Sequence, residues 1–353
     1  MDASPKSIEE LQSLVRSASA LSIRAREDRL DPGPNGSTAI SLSAFNRTIE
    51  YEPEEYTITV ESGALVRDVQ NTLAEQGQYL PFDPPFLDDN PTIGDAIASG
   101  CSGPSAYRYG ILRDFIIGLS LIDGLGKRIQ AGGKVVKNAA GFDLPKLMVG
   151  SGHGLGIVTQ ATFKVFPKPE ASRSVEFECD NLDQGIGRLK AIGRSRFTLD
   201  ALDLDPSGAL RIQLGGQANA LDRRVHDLEE FLNAERNAIP PRPWSESVAL
   251  ARFPDSGSLV RVPTNPTAIS DLEAILADHG AVRRYSLGGF VCWIYWNSDI
   301  DSLDALLRRQ DLSGQIVNEP FTLIGSDAQR SFYDRVKGAL DPHSKFPNLY
   351  PNR

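Results

Sequence analysis

Residues 150–156 read Gly-Ser-Gly-His-Gly-Leu-Gly, four glycines in seven positions. Backbone this bare can lay its N–H groups against a phosphate as a nest of oriented amides. The element into which the glycines lead decides the kind of nest. Ile157, Ala161, Phe163 and Val165 alternate with Gln160, Thr162 and Lys164, the period of a strand with one buried face. A Rossmann dinucleotide site needs Gly-x-Gly-x-x-Gly after a strand and opening a helix, and a P-loop needs Gly-Lys-Ser/Thr. The chain offers neither.

Histidine is the side chain most readily put to acid–base work near neutrality, and the chain has four: His153, His226, His279 and His343. His226 lies beside the buried stripe of a helix and His279 closes a helix next to Gly280, so both sit in structural places. His343 comes after the last helix. None supports a catalytic assignment. Cys101, Cys179 and Cys292 are far apart and form no Cys-x-x-Cys. That spacing argues against a disulfide framework, an iron–sulfur cluster or a cysteine-held metal, and makes a reducing, cytoplasmic compartment the default. Arg113-Asp114, Lys137 and Asp143 read equally well as structural and as functional charges.

These groups have to be positioned by some 353 residues, enough for about two domains. The net charge of −9 argues against non-specific binding to nucleic acid or to an anionic membrane. No apolar run is long enough to span a bilayer, and the first residues do not read as a signal segment. A helix is expected near 7–17, and strands at 21–25, 39–45, 49–53 and 56–63. Ser62 is placed as the cap of a helix carrying Leu65, Val66, Val69 and Leu73, with Gly77 as its stop. Residues 91–100 suggest a short helix, and 115–130 a hairpin turning at Asp123-Gly124. Beyond the proline-marked segment 166–170 the theme becomes strands alternating with amphipathic helices. One of these helices carries Leu221, Val225, Leu228 and Leu232, and another opens with a Ser270/Glu273 capping box. A further hairpin is centred on Gly288-Gly289. The whole reads as α+β, with helices on one face of an antiparallel sheet in the second half.

Three stretches carry a resemblance to a known family: Leu-Pro-Phe-Asp-Pro-Pro through Ile-Ile-Gly at 80–118, residues 134–151, and the Gly-Leu-Gly-Ile-Val-Thr run at 154–159. They resemble the PCMH-type FAD-binding domain of the vanillyl-alcohol-oxidase superfamily. Ser-Gly-Pro at 102–104, Arg-Asp at 113–114 and the Lys-Asn-x-x-Gly-Phe-Asp run at 137–143 are similar to the FAD-binding E subunit of bacterial glycolate oxidase. The resemblance implies a PCMH-type domain of two α+β subdomains over 1–168, an α+β cap over 169–325, and a C-terminal segment, 326–353, returning to the first domain. It implies FAD as cofactor, with Pro84, Pro85, Gly100, Ser102, Tyr109 and Gly110 walling the flavin. Thr92, Ile93 and Gly94 would meet the anion where a turn enters a helix, and Gly150, Ser151, Gly154, Gly156 and Ile157 would line the nucleotide. No metal is expected.

The implied activity is oxidation of glycolate, a 2-hydroxy acid, to glyoxylate, beside a homologous FAD subunit and an iron–sulfur subunit. Any membrane contact would come through those partners. The alternatives are a structural subunit that has lost flavin, or a stand-alone oxidoreductase on another hydroxy acid or alcohol. Three departures from the family pattern motivate the first alternative. Residues 26–36 lack the usual glycine-rich phosphate loop, and Asp95 and His153 stand where the pattern has glycine. Related 2-hydroxy-acid dehydrogenases use a His-x-His metal pair, which is absent here.

Overall fold

The structure, a computed structural model, describes residues 2–24, 36–84, 90–133, 143–236, 257–317 and 321–350. The chain opens with a small parallel sheet of β1 (Asp2–Ala3), β2 (Leu21–Arg24) and β3 (Thr38–Ser41), in the order β1-β3-β2. Helix α1 (Ile8–Ser17) covers it with Leu11 and Val15. Ser7 caps α1 by accepting the Glu10 N–H (3.2 Å), and Glu10 takes the Lys6 N–H (2.7 Å) in return.

A second, antiparallel sheet has the order β4-β5-β9-β7-β8. Its strands are β4 (Thr48–Glu52), β5 (Thr57–Glu61), β7 (Ile116–Ile122), β8 (Arg128–Gly132) and β9 (Ile157–Lys164), while β6 (Gln78–Tyr79) pairs separately with β10 (Phe166–Pro167). The central strands β5, β7 and β9 are covered by α2 (Val66–Ala74) and α3 (Ile93–Ser99), sealing Ile58, Val60, Val69, Leu73, Ile97 and Phe163 from water. Each such side chain contributes roughly 1.5–3 kcal/mol on burial. The expected hairpin at Asp123-Gly124 joins β7 to β8. The expected Ser62 cap is corrected: α2 starts after Leu65 with no side-chain cap. The backbone of Ser62 is engaged elsewhere, its carbonyl accepting the Gly94 N–H (2.7 Å).

The second half builds one large antiparallel sheet, ordered β11-β13-β12-β15-β16-β14-β17-β18 among the described residues. Its strands are β11 (Ala171–Phe177), β12 (Ala201–Leu204), β13 (Leu210–Gly216), β14 (Ser258–Pro263), β15 (Val282–Ser286), β16 (Val291–Trp296), β17 (Ser313–Ile316) and β18 (Thr322–Gly325). Helices α7 (Leu182–Gly193), α8 (Ala218–Leu232), α9 (Ile269–Leu276) and α10 (Ile300–Arg309) all pack on one face of it. The units β11-α7-β12-β13-α8 and β14-α9-β15-β16-α10 repeat one plan, joined where Leu204 of β12 meets Tyr285 of β15. The expected capping box of α9 is absent. Glu273 instead turns to the sheet, accepting from Arg283 Nη2 (2.6 Å) and the Tyr285 hydroxyl (2.7 Å). The class is α+β, as expected. No helix among the described residues is long and apolar enough to cross a membrane.

Candidate functional site

Thr92 opens α3 through a reciprocal box: its hydroxyl accepts the Asp95 N–H (3.1 Å), and Asp95 accepts the Thr92 N–H (2.8 Å). The Ile93 N–H goes to the Ala64 carbonyl (2.9 Å) and that of Gly94 to Ser62. The three amides expected to meet an anion are therefore occupied within the protein, and α3 is only seven residues long. Two buried oxygens beside them have no hydrogen-bond partner among the described residues, Ser62 Oγ and Asn90 Oδ1. These, rather than the helix start, are the polar atoms this turn leaves open to a ligand.

From Gly100, where α3 ends in the left-handed region, the chain runs along the face of the second unit. Cys101 is buried, and burial pushes its thiol up, away from the reactive thiolate. Ser102 is buried and accepts the Leu112 N–H (3.2 Å). Pro84 is buried near the turn held by Asp83, which accepts the Ser105 N–H (2.9 Å); Pro85 lies outside the described residues. Tyr109, at the end of α4 (Ala106–Tyr109), stacks on Phe166 with ring centres 4.3 Å apart. Gly110 comes next at φ 92°, leading into α5 (Leu112–Phe115). Asp114 turns back to accept the Ile111 N–H (2.9 Å), a capping contact that gives it a structural role. Asp143 caps α6 (Leu144–Met148) and pairs with Lys146 (3.0 Å).

The glycine loop is bound on both sides. Gly150 and Gly152 donate to Ile97 and Ala98 of α3 (2.8 and 2.9 Å), Ser151 donates to Met148, and Gly154 donates back to Ser151 (2.7 Å). On the far side the last helix, α11 (Arg330–Leu340), and the segment after it clamp Gly154. A Cβ there would lie 2.5 Å from the Tyr333 hydroxyl and 2.9 Å from the Pro347 carbonyl. Buried Lys337 donates to the Gly154 carbonyl (2.8 Å), to Asp341 (3.0 Å) and to the carbonyls of Phe346 and Pro347. Gly150 sits at φ 81° with open space beyond its Cα. Gly156 and Ile157 lead straight into β9. His153 adopts φ 59°, so the glycine pattern is broken at a position that favours glycine. Burial pulls its proton affinity down while Asp95 pulls it back up. The two residues that interrupt the family's glycines thus lie within each other's field.

The remaining chemistry lies on the sheet face opposite the helices. Cys101 and Ala106 pack there with Leu259, Leu287, Val291 and Trp293. In the same cross-strand row Gln315, Arg261, Trp293 and Arg284 stand side by side on β17, β14, β16 and β15. Gln315 reaches across to the Ser99 carbonyl (2.8 Å), fixing this row against the segment that starts at Gly100. In the next row Asp203 lies between Arg211 and Ser286. Several buried polar atoms of this face have no hydrogen-bond partner among the described residues: both carboxylate oxygens of Asp203, Ser286 Oγ, Gln213 Oε1 and Arg261 Nε. Ser286 and the Leu287 amide lie near Asp203 without hydrogen-bonding geometry. Burial raises its pKa to about 6, against the pull of Arg284, Ser286 and Arg211.

Sequence reasoning missed this face. The signal was a polar residue set between apolar ones, Leu-Asp-Leu at 202–204 and Val-Arg-Val at 260–262. The four histidines do not converge on it. His226 is exposed beside Glu229 and Glu230, His279 stacks on Trp296, and His343 is exposed after α11. No group of three or more potential metal ligands occurs among the described residues. Lys137 and most of the expected first phosphate loop lie outside them.

The described residues fit a flavin nucleotide. The Ser62 and Asn90 oxygens are left open, Gly150 faces open space, and a polar face stands over Gly100–Gly110. Fold and site together give an α+β first unit with room for a flavin nucleotide, joined to a second unit that faces it with a sheet. Residues 2–132 match the family described as FAD binding domain. The chain is similar to glycolate oxidase subunit GlcE of Escherichia coli (strain K12), 34% identical over 178 residues, 50% of this chain and 51% of the relative. It is also similar to glycolate oxidase subunit GlcD of Bacillus subtilis (strain 168), 33% identical over 171 residues, 48% of this chain and 36% of that one. A D-2-hydroxyglutarate dehydrogenase of Xanthomonas citri pv. viticola is 30% identical over 230 residues, 63% of this chain and 48% of its own. The chain thus spans about half the length, or less, of these curated relatives. A solved structure of alkyldihydroxyacetonephosphate synthase shares the fold over 97% of this chain and 76% of its own, with a TM-score of 0.71 at 17% identity.

Proposed function

We propose that the protein is an FAD-dependent oxidoreductase acting on the CH–OH group of a small 2-hydroxy acid, as the FAD-binding subunit of a glycolate-oxidising complex. The observation that carries the reading is the sheet face bearing Arg261 and Arg284, held by Gln315 against Gly100–Gly110. Guanidinium groups suit the carboxylate of such a substrate. Bound FAD would supply the two-electron acceptor. Pro84, Pro85, Gly100, Ser102, Tyr109 and Gly110 would wall the flavin. Thr92–Gly94 would shape the turn that presents Ser62 and Asn90, and Gly150, Ser151, Gly154, Gly156 and Ile157 would line the nucleotide. Residues 169–325 would act as the cap, and 326–353 as the strap that closes the glycine loop. Electrons would leave through a homologous FAD subunit and an iron–sulfur subunit, in the cytoplasm, with any membrane contact made by those partners.

The test is the visible spectrum of the purified protein, followed by anaerobic addition of glycolate, D-lactate or D-2-hydroxyglutarate. A yellow protein that bleaches with glycolate supports the reading. Bleaching with only one of the other two moves the substrate to that acid. A second reading, a structural subunit without flavin, is favoured by the occupied Thr92–Gly94 amides and by His153 in a left-handed position. A colourless chain that takes up no added FAD would establish it.

A further inference from the structure

Oxidising a 2-hydroxy acid requires a base for the hydroxyl proton. We infer that Asp203 is the catalytic residue that accepts this proton, an assignment that rests on the oxidoreductase reading above. Other carboxylates near this face are engaged: Glu176 lies 3.6 Å from Arg211, and Asp200 is paired with Arg108 of α4 (2.5 Å). Asp203 alone among these three keeps both oxygens without a hydrogen bond to the described residues, and it is almost fully buried. It is also well placed. Strand β12 packs against α4, whose Tyr109 leads into Gly110, and Arg284 lies close enough to act on Asp203 electrostatically. A substrate carboxylate held by Arg284 and Arg261 would bring its hydroxyl to the neighbouring row, where Asp203 stands.

The groups facing Asp203 set its behaviour. Arg284 of β15 and Arg211 of β13 favour the carboxylate, Glu176 of β11 offsets Arg211, and across the interface Arg108 is neutralised by Asp200. Burial outweighs them and makes Asp203 a stronger base than an exposed carboxylate, with its pKa near 6. In the step itself the substrate O–H bond breaks and its proton goes to an Asp203 oxygen. The Cα–H bond breaks and its hydride, with two electrons, goes to FAD. The hydroxy acid is oxidised to a 2-oxo acid and the flavin is reduced by two electrons.

The experiment compares the FAD-loaded wild type with Asp203→Asn, measuring anaerobic bleaching by glycolate, D-lactate and D-2-hydroxyglutarate, and binding of oxalate as an unreactive probe, from pH 5 to 8. If the assignment holds, D203N keeps its flavin and still binds oxalate but bleaches at least about 100-fold more slowly, the scale of a lost general base. Bleaching within tenfold of wild type, with the same pH profile, overturns it. Should D203N not retain flavin, Asp203→Ser is read in the same way. If the wild type bleaches with none of the three acids, the proposed function fails, and oxalate binding then decides about Asp203 separately. Affinity that weakens in the wild type as pH rises through about 6, but stays flat in the variant, places Asp203 against the bound acid. Equal pH dependence in both, or no binding, removes it from the site.

Discussion

Replacing Asp203 by asparagine should stabilise the protein above neutral pH, because the native carboxyl is buried without a hydrogen bond to the described residues. In the unfolded chain it titrates near the ordinary 3.8; in the fold burial raises it to about 6. Between those values the folded state holds a proton that the unfolded state has released, so stability falls as pH rises. The gap corresponds to a loss of about 3 kcal/mol, nearly complete above pH 6 and small below about pH 4. D203N cannot ionise and should lack this slope. Urea unfolding monitored by tryptophan fluorescence is a suitable assay, since Trp293 and Trp296 both lie in the same sheet as Asp203. With a urea slope of about 3 kcal/mol per molar, the variant's midpoint should lie up to about 1 M higher at pH 8 and only about a third as far above wild type at pH 4.5. A variant less stable than wild type at pH 8, or shifted equally at both pH values, would mean that Asp203 is hydrogen-bonded and ionised in the fold. A stabilising loss of a site carboxylate is also what strain retained for function looks like.

Three other substitutions probe the frame around the site. Lys337→Met removes a buried cation from Gly154, Phe346, Pro347 and Asp341 and leaves the buried Asp341 carboxylate only the backbone N–H groups of Lys345 and Phe346; a loss of about 3–5 kcal/mol is expected by urea unfolding, together with weaker flavin retention on gel filtration. A loss under about 1 kcal/mol would show that the strap does not depend on this lysine. His153→Gly should gain about 1 kcal/mol by relieving the left-handed backbone, and should tighten added FAD in a fluorescence-quenching titration; destabilisation would show that the imidazole's contacts outweigh the strain. Glu273→Ala leaves Arg283 and the buried Tyr285 hydroxyl without their carboxylate, and about 3–5 kcal/mol of stability should go with it in the same unfolding assay.

What the sequence made legible is what local chemistry controls. Alternation located β9, helical spacing found α8 through Leu221, Val225, Leu228 and Leu232, and a glycine cluster placed the loop at 150–156. Where a partner distant in sequence competes for the same polar atom, local signals misled. Ser62 looks like a helix cap, but its carbonyl is claimed by Gly94, thirty-two positions on, and Leu65 is drawn into a bridge with Thr92. Ser270 and Glu273 have capping-box spacing, yet Arg283 and Tyr285 offer that carboxylate a buried charge-assisted bond stronger than an exposed cap.

The sheet face was hidden for a different reason. Period-two patterning states which residues share a face and is silent about what covers that face. Asp203 between Leu202 and Leu204, or Arg261 between Val260 and Val262, is indistinguishable from a solvent-facing position until β12 pairs with β15 and α4 docks across them. A buried face whose polar atoms lack partners among the described residues costs stability in this chain taken alone, so a bound acid that satisfies those atoms would offset the cost only while it is there. Ligand-dependent stability should therefore concentrate in the second unit: oxalate should protect the amides of β12, β14 and β15 from hydrogen exchange, while those of β5 and β9 exchange as before. Uniform protection across both units would locate the acid elsewhere.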